Sequence, residues 1–441
     1  MCSVFHPLNY VKNSLRQIIC NISAPKCIYT IARMNLNMKK LIYACIAALA
    51  VAGCSKSDFY IDADGKYSGG EYFSADGGAS GEGAGEPGNA QAGNGESGVL
   101  TAGEWNDLDN WNYWGGIING QDYAKFNRYW GLYTANRFAC KVLDAAGAPV
   151  VGAKLELKSA DGDVLWTSKT DNSGIANLWA DVFKEESTVN LETCTVSIDG
   201  ALQAGNPKVS AWTSAKIEEN VYTVASAGTP GNQVDIAFIV DATGSMTDEI
   251  DFLKKDLADI LTKVGQTQSA FSIFTGTVFY RDEGDDYLTR TSEFTTDISA
   301  TAAFVKDQYA AGGGDCPEAV HTALETTLTQ LQWHTNAYAK IAFMILDAPA
   351  HKDHQGVIES MQKSISKFSE AGIKIIPVFC SSDRKDCEFM CRQFAILTGG
   401  TYVFLTNDSQ VGNSHIVPSV GEYQVEKLNE LIIRLINKYI S

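Results

Sequence analysis

Oxygen-bearing side chains at alternate positions follow a short apolar run near the middle of the chain. The run, residues 234–240, is rich in β-branched and aromatic residues, which is typical of a buried strand. It ends at Asp241, and Thr243 and Ser245 follow at alternate positions before a helical pattern begins. Carboxylate and hydroxyl oxygens without a nearby His or Cys suit a hard cation such as Mg²⁺, Ca²⁺ or Mn²⁺. We therefore predict a metal-binding loop at the carboxyl edge of a parallel sheet.

Two later stretches supply further carboxylates. Residues 312–319 read GGGDCPEA and contain Asp315, and residues 345–351 read ILDAPAH and place Asp347 at the end of another apolar run. Each Asp taken alone also fits a helix cap, and a glycine run also fits a plain turn. Three such loops in this order favour a shared ion, so Asp315 and Asp347 are expected to join the first loop.

These residues resemble a known family. Asp241-x-Thr243-x-Ser245 is similar to the Asp-x-Ser/Thr-x-Ser signature of the von Willebrand factor A (VWA) domain, where it forms the metal-ion-dependent adhesion site (MIDAS). The stretch 312–319 resembles the second metal loop of the hemicentin-like VWA subgroup, in which the motif at 280–282, Tyr-Arg-Asp, also recurs.

The resemblance covers residues 232–441 and implies a role for each site residue. Thr243 and Ser245 would coordinate the ion directly, and Asp241 and Asp347 directly or through water. The family usually has Thr where this chain has Asp315. A third carboxylate around a dication leaves the site with a net negative charge, so the ion should be held more firmly and attract an acidic partner residue less. The implied cofactor is Mg²⁺, with Ca²⁺ or Mn²⁺ as alternatives.

Helical and strand patterns alternate through this half of the chain, which predicts an α/β fold with a doubly wound, mostly parallel sheet. The predicted strands are 234–241, 270–280, 287–294, 340–347, 373–380 and 401–405. The predicted helices are 248–264, 297–309, 317–332, 356–370, 385–398 and 423–439.

The N-terminus predicts export. Lys39 and Lys40 precede a short apolar run that ends Val-Ala-Gly-Cys at Cys54, which resembles a bacterial lipoprotein signal. The run is too short to span a bilayer, although an uncleaved membrane anchor is the alternative. Translation is then expected to start at Met34 or Met38, with Cys54 lipidated. The location implied is the bacterial outer membrane or cell surface, or a face towards the periplasm.

The segments before the VWA-like region differ in composition. Residues 54–100 are Gly-rich, which predicts a disordered tether. Residues 101–135 are rich in Trp and Tyr, which fits either a platform for sugars or simple core packing. Residues 136–227 show short strands separated by Gly, Asp and Asn turns, which predicts an antiparallel β-sandwich. This pattern resembles carboxypeptidase-regulatory-like or CnaB-like modules. The predicted domains are thus a leader at 1–53, a linker at 54–100, an aromatic-rich segment at 101–135, a sandwich at 136–227 and a VWA domain at 232–441.

Six cysteines follow Cys54, and in an exported protein they are candidates for oxidation. Cys140 and Cys194 fall on predicted strands of one domain and are a candidate disulfide. Cys380, Cys387 and Cys391 allow a zinc site as an alternative to disulfides or buried thiols, although they lack a C-x₂-C spacing.

The net charge of the chain and the catalytic motifs it lacks exclude some classes of function. The formal net charge of −17 over 441 residues argues against a nucleic-acid partner. No G-x-S-x-G, H-E-x-x-H or P-loop sequence occurs, so we expect no enzymatic activity. The sequence favours a lipid-anchored envelope protein that binds a divalent cation and, through it, a protein or matrix ligand. A scaffold subunit with a purely structural metal and a glycan-binding surface protein are the alternatives.

Overall fold

The architecture comes from a computed structural model, which describes residues 100–214, 216–225, 228–314, 316–409 and 415–441. The predicted leader, the lipidation residue Cys54, the Gly-rich linker up to residue 99 and the predicted ligand Asp315 lie outside the described residues. Among the helices of the described residues, none combines the length and apolarity needed to cross a bilayer.

The strands and helices of the VWA-like half form one α/β layer structure. Its strands after the sandwich are β9 (Gln233–Asp241), β10 (Ser272–Tyr280), β11 (Thr289–Thr295), β12 (Ala339–Leu346), β13 (Ile373–Phe379), β14 (Tyr402–Leu405) and β15 (Glu426–Lys427). Its helices are α3 (Thr247–Thr267), α4 (Ile298–Lys306), α5 (Val320–Thr329), α6 (Val357–Ala371), α7 (Lys385–Thr398) and α8 (Leu428–Ile440). Two shorter helices precede them, α1 (Trp111–Ile118) and α2 (Ala124–Trp130).

The main sheet has eight strands, because β1 (Thr101–Trp105) joins it from the other end of the described chain. The strand order is β11-β10-β9-β12-β13-β14-β1-β15. The five strands from β10 to β14 in this order are parallel, whereas β11 at one edge and β1 and β15 at the other are antiparallel. The prediction of a mostly parallel sheet is confirmed.

Helices cover both faces of this sheet. Successive residues of β9 point to opposite faces, so Ile236 and Phe238 pack in one core with α3 and α8, whereas Ala237 and Ile239 pack in the other with α5, α6 and α7. A strand buried on both faces has apolar residues in succession, and within residues 234–240 only Asp235, whose carboxylate is hydrogen-bonded to His334, departs from that pattern.

Two predicted helices begin several residues later than their sequence patterns indicate. The helix predicted from residue 317 begins at Val320, because the backbone N–H of Glu318 donates to the carbonyl of Pro349 at 2.9 Å. The helix predicted from residue 423 begins at Leu428, because Glu426 and Lys427 form β15 and pair with β1.

The aromatic-rich segment is part of the core of this assembly. Trp111, Trp114 and Trp130 are each at most 1% exposed. The Trp114 ring lies 5.5 Å from the ring of Phe389 on α7, and the Arg392 guanidinium stacks on it at 4.9 Å. The structure therefore favours packing over a sugar-binding platform for these tryptophans. It also makes β1 a strand of the main sheet and not of a separate segment.

Seven strands between β1 and β9 form two small sheets. They are β2 (Asn136–Asp144), β3 (Lys154–Lys158), β4 (Val164–Lys169), β5 (Ile175–Ala180), β6 (Thr195–Ile198), β7 (Ala201–Leu202) and β8 (Glu219–Val224). Their orders are β5-β2-β8 and β4-β3-β6-β7. All but one of these strand pairs are antiparallel, as predicted. The prediction is wrong for β8, which runs parallel to β2. A parallel pair needs a long connection, and residues 145–218, which include β3 to β7, connect β2 to β8.

The candidate disulfide is not a feature of this structure. Cys140 lies on β2 and Cys194 immediately precedes β6, so they belong to different sheets. Both are buried free thiols. Burial raises the pKa of each, which disfavours the reactive thiolate form.

Candidate metal centre

Three loops meet at the carboxyl edge of the main sheet. The first follows β9 at residues 241–246, the second spans 312–319, and the third follows β12 at 347–351. Backbone hydrogen bonds join them: Gly244 N–H donates to the Gly312 carbonyl at 3.1 Å, and Glu318 N–H donates to the Pro349 carbonyl at 2.9 Å. The fold therefore brings together stretches that are about a hundred residues apart in sequence.

The first loop is organised around Asp241, which is fully buried. One carboxylate oxygen, Oδ1, accepts hydrogen bonds from the backbone N–H of Thr243 at 2.9 Å and from its hydroxyl at 2.7 Å. The other, Oδ2, is buried and accepts no hydrogen bond of normal geometry, although the Tyr280 hydroxyl is near enough to lower the pKa of this carboxyl in part. A buried carboxylate oxygen without a partner is costly, so this atom is suited to a ligand that it can bind.

Asp347 stands opposite Asp241 and is 6% exposed. Its Oδ1 is also buried without a partner. Burial and the charge of Asp347 raise the pKa of Asp241 to about 7, and burial raises the pKa of Asp347, which the Ser245 hydroxyl lowers in part. The structure thus brings Asp241, Thr243, Ser245 and Asp347 together as the spacing predicts.

Two carboxylates that the sequence analysis did not assign to the ion lie in the same place. Burial and the charge of Asp241 raise the pKa of Glu318 to about 9, and its Oε2 has no partner. Burial raises the pKa of Glu249 to about 7, and one of its oxygens accepts from the Ser381 hydroxyl at 3.0 Å. Acidic residues are common in the first turn of a helix, where they interact favourably with the helix dipole. The sequence therefore gives no sign that Glu249 differs from an ordinary exposed residue at such a position.

The second loop approaches the first closely at a glycine. Gly313 has a φ of +63°, and a Cβ there would lie 2.8 Å from Glu318 Oε1 and 3.0 Å from Thr243 Cβ. A larger residue would therefore push apart the two loops that hold these oxygens. Two glycines of the GGG run, Gly312 and Gly313, adopt positive φ.

The motif at 280–282 contacts the backbone of the first loop and helps to hold it in place. Tyr280 pairs with Asp241 across β10 and β9, and Arg281 donates from Nε to the carbonyl oxygen of Ala242 at 3.1 Å. Asp282 Oδ1 lies 2.6 Å from His351 Nε2, and both side chains are buried. His351, on the third loop, therefore has a buried carboxylate partner.

The donor set fits a hard divalent cation. Among the described residues, no group of three or more His, Cys, Asp or Glu is arranged to hold a metal by those side chains alone. A centre that uses hydroxyls does not need such a group, and here two hydroxyls and two carboxylates converge, with two buried carboxylate oxygens unpartnered. Bound there, the ion would supply a positive charge that offsets the mutual repulsion of the carboxylates.

The three cysteines of the alternative zinc site are separated by the sheet. Cys380 packs in the core that contains α3, whereas Cys387 and Cys391 pack in the core on the opposite face. All three are buried free thiols. The structure does not bring them into one site.

A doubly wound sheet with oxygen-bearing side chains on loops at its carboxyl edge has the architecture of the Rossmann-like class. Comparison with known families specifies the class: residues 235–395 match the model of the von Willebrand factor A domain. This part of the chain is a VWA domain.

Two curated proteins share sequence with this region. The alpha-protein kinase vwkA of Dictyostelium discoideum is 30% identical over 212 residues, which are 47% of this chain and 33% of that protein. A protein of Acanthamoeba polyphaga mimivirus, named as an ariadne-like RING finger protein, R811, is 34% identical over 118 residues, which are 27% of this chain and 11% of that protein. The chain therefore spans about a third or less of the length of these relatives.

Three solved structures, two from bacteria and one from mussel byssus, match parts of this chain. BatB from Bacteroides thetaiotaomicron matches with a TM-score of 0.32 and 15% identity, over 47% of this chain and 98% of that one. The pilus adhesin SpaC from Lactobacillus rhamnosus GG matches with a TM-score of 0.31 and 11% identity, over 40% of this chain and 28% of that one. Proximal thread matrix protein 1 from the mussel byssus matches with a TM-score of 0.28 and 12% identity, over 38% of this chain and 43% of that one.

Proposed function

We propose that the VWA domain binds Mg²⁺, or Ca²⁺ or Mn²⁺ in its place, and captures a protein or matrix ligand in a metal-dependent way. Thr243 and Ser245 would hold the ion directly, and Asp241 and Asp347 directly or through water. Asp315, on the second loop, is the fifth proposed ligand.

One observation carries this proposal. Asp241 Oδ2 and Asp347 Oδ1 are buried without a hydrogen bond of normal geometry, burial raises the pKa of both carboxyls, and the charge of Asp347 raises that of Asp241 further. Without a cation, this arrangement costs stability at neutral pH, because either a charge is buried unpaired or a proton must be bound. A divalent cation bound between these carboxylates would remove that cost.

We propose that the partner presents a neutral or basic surface to the metal centre. An acidic side chain of the partner is not expected to bind the ion. Glu249 and Glu318 stand beside the two aspartates, and Asp315 would add a further carboxylate. With more negative charge than one dication neutralises, the centre would repel an incoming carboxylate. We propose no catalytic activity, because the sequence contains no G-x-S-x-G, H-E-x-x-H or P-loop motif.

Metal removal tests the proposal and separates it from a scaffold role. Titration calorimetry with MgCl₂ should show one site per chain in the wild type and none in Asp241→Asn. If the ion mediates capture, EDTA should abolish recovery of the partner from envelope extracts, and Mg²⁺ should restore it. If EDTA lowers the melting temperature but the same partner is still recovered, the metal is structural and the protein is a scaffold subunit.

We also propose that the protein is a lipid-anchored envelope protein, on the basis of the signal pattern that ends at Cys54. Metabolic labelling with a radioactive fatty acid should mark the wild type and not Cys54→Ser. Membrane fractionation should find Cys54→Ser in the soluble fraction. Recovery of both proteins with membranes would contradict the anchor.

A further inference from the structure

A cleft of about 370 Å³ lies between the two small sheets and the amino-terminal edge of the main sheet. Lys340 and Lys374 stand at the starts of β12 and β13, so the cleft is at the opposite edge from the candidate metal centre. Its size is within the range of small-molecule sites, which often lie between domains. Its polar lining includes Lys169, Thr170, Asp171, Asn172, Asp199, Thr335, Asn336, Lys340 and Lys374.

Two lysines from different domains converge in this cleft on one acceptor. Lys169, at the end of β4, donates from Nζ to the carbonyl oxygen of Thr335 at 3.5 Å, and Lys340 Nζ donates to the same oxygen at 3.3 Å. Two ammonium groups that share a neutral carbonyl repel each other, and this repulsion is not balanced by a contacting carboxylate. Asp235, on the strand next to Lys340, has both oxygens bonded to His334.

Lys169 and Lys340 carry N–H donors that their hydrogen bonds to the protein do not use. Each ammonium group carries three N–H donors. Lys340 uses two of them, on the carbonyls of Thr335 and Ala371, and Lys169 uses one. Lys340 is only 6% exposed, so bulk water reaches it poorly. An oxygen-rich anion in the cleft would accept from the remaining donors and neutralise the local positive charge of Lys169 and Lys340.

Helix capping explains only part of this arrangement. Lys340 donates to Ala371 at the end of α6, and Lys374 donates to the carbonyl of Gly399 after α7 and pairs with Asp171 at 3.1 Å. Lys169 has no such role.

The aliphatic stem of Lys169 packs against Gly372, where a Cβ would lie 3.0 Å from Lys169 Cβ, and this contact directs its ammonium group towards Lys340. Burial and the charge of Lys169 lower the pKa of Lys340 to about 8, so keeping both lysines charged at neutral pH costs stability. A costly pair of like charges is typical of a binding site.

We propose that this cleft binds a small multivalent oxyanion, a carboxylate or a phosphate, between Lys169 and Lys340. The ligand would contact both domains and hold them together. The proposal is independent of the metal centre, because the two sites lie at opposite edges of the sheet.

Titration of the full chain with inorganic phosphate and with citrate, at constant ionic strength, tests the site. Lys169→Gln and Lys340→Met should each weaken binding by roughly tenfold, since each removes a charged hydrogen-bond donor. Lys263→Gln is the matched control, because it removes one positive charge from an exposed position on α3. A preference for phosphate over citrate, or the reverse, identifies the class of anion.

Equal affinity in the wild type and all three variants would overturn the proposal, and so would the absence of binding by both anions. Lys169→Gln remains informative if Lys340→Met fails to fold, because Lys169 is half-buried at the rim and lacks a carboxylate partner. Mg²⁺ binding should be unchanged in both variants.

Discussion

The guanidinium Nε of Arg281 donates to the carbonyl oxygen of Ala242 at 3.1 Å, directly behind the loop that carries Asp241 and Thr243. Arg281 is 1% exposed and also donates to the carbonyl of Tyr309 at 2.9 Å. It is therefore fixed at both ends of its guanidinium and holds the backbone of the first loop in place without contacting the proposed ion.

Arg281→Lys should weaken Mg²⁺ binding by about ten- to a hundredfold, the usual cost of removing a group that orients metal ligands. Lysine keeps the charge but lacks the planar fork that reaches both carbonyls. Calorimetry measures the affinity. Arg281 and Arg290 both stack on the ring of Tyr287, at 4.5 and 4.0 Å, but Arg290 is exposed. Arg290→Lys is therefore the control and should bind Mg²⁺ as the wild type does. Equal affinities of the two variants would show that Arg281 does not position the loop.

The stability of the metal-free protein should fall as pH rises. The pKa of Asp241 is raised to about 7 and that of Glu318 to about 9, so the folded state binds protons that the unfolded state releases near pH 4. The stabilisation from these protons is complete below pH 4 and is lost as pH rises through 7 and then 9. Scanning calorimetry in EDTA from pH 5 to 9 should show this decline.

Mg²⁺ should reverse this trend, because the ion binds the deprotonated carboxylates. At a hundred times the dissociation constant, the ion adds about 2.7 kcal/mol to the free energy of unfolding. Asp241→Asn should be more stable than the wild type in EDTA at pH 8 and gain nothing from Mg²⁺. A pH profile that is the same with and without Mg²⁺ would count against the centre.

Asp315→Thr tests the charge of the second loop. Threonine is the usual residue of the family here, and the substitution removes one carboxylate from the proposed ligand set. We expect weaker Mg²⁺ binding by calorimetry, because less negative charge attracts the ion. Asp286→Thr, at an exposed position, controls for the change in net charge. Unchanged or tighter binding by Asp315→Thr would refute the argument from charge.

Asp107 should be essential to the stability of the fold. Its carboxylate accepts from Arg392 Nε at 2.9 Å and Nη2 at 2.6 Å, and both side chains are buried. Asp107→Asn should lower the free energy of unfolding by about 1.5–3 kcal/mol, since it removes charge-assisted hydrogen bonds and leaves Arg392 with only the Glu388 carboxylate, at 3.6 Å. Urea unfolding measures the loss, and Asp109→Asn, at an exposed position, should cost little. A loss of similar size in both variants would show that the buried pair is not the cause.

The local elements of the VWA half were predictable because each has a periodic signal of its own. The buried run before Asp241 and the apolar face of α8 follow from the spacing of apolar residues, and the six predicted strands and six predicted helices of this half all occur. The convergence of Asp241, Thr243, Ser245 and Asp347 was also predictable, since the ends of parallel strands meet at one edge. The resemblance to a known family named the same residues.

Only the tertiary structure decided the contacts between distant segments. Pairing of β1 with β14 joins residues about 300 apart, and backbone hydrogen bonding carries no sequence signal for such a partner. Glu249 and Glu318 became part of the centre, and Lys169 met Lys340, through packing that no local pattern encodes. Periodicity in a sequence reports which face of an element is buried, whereas the identity of the neighbour depends on how all the elements pack together.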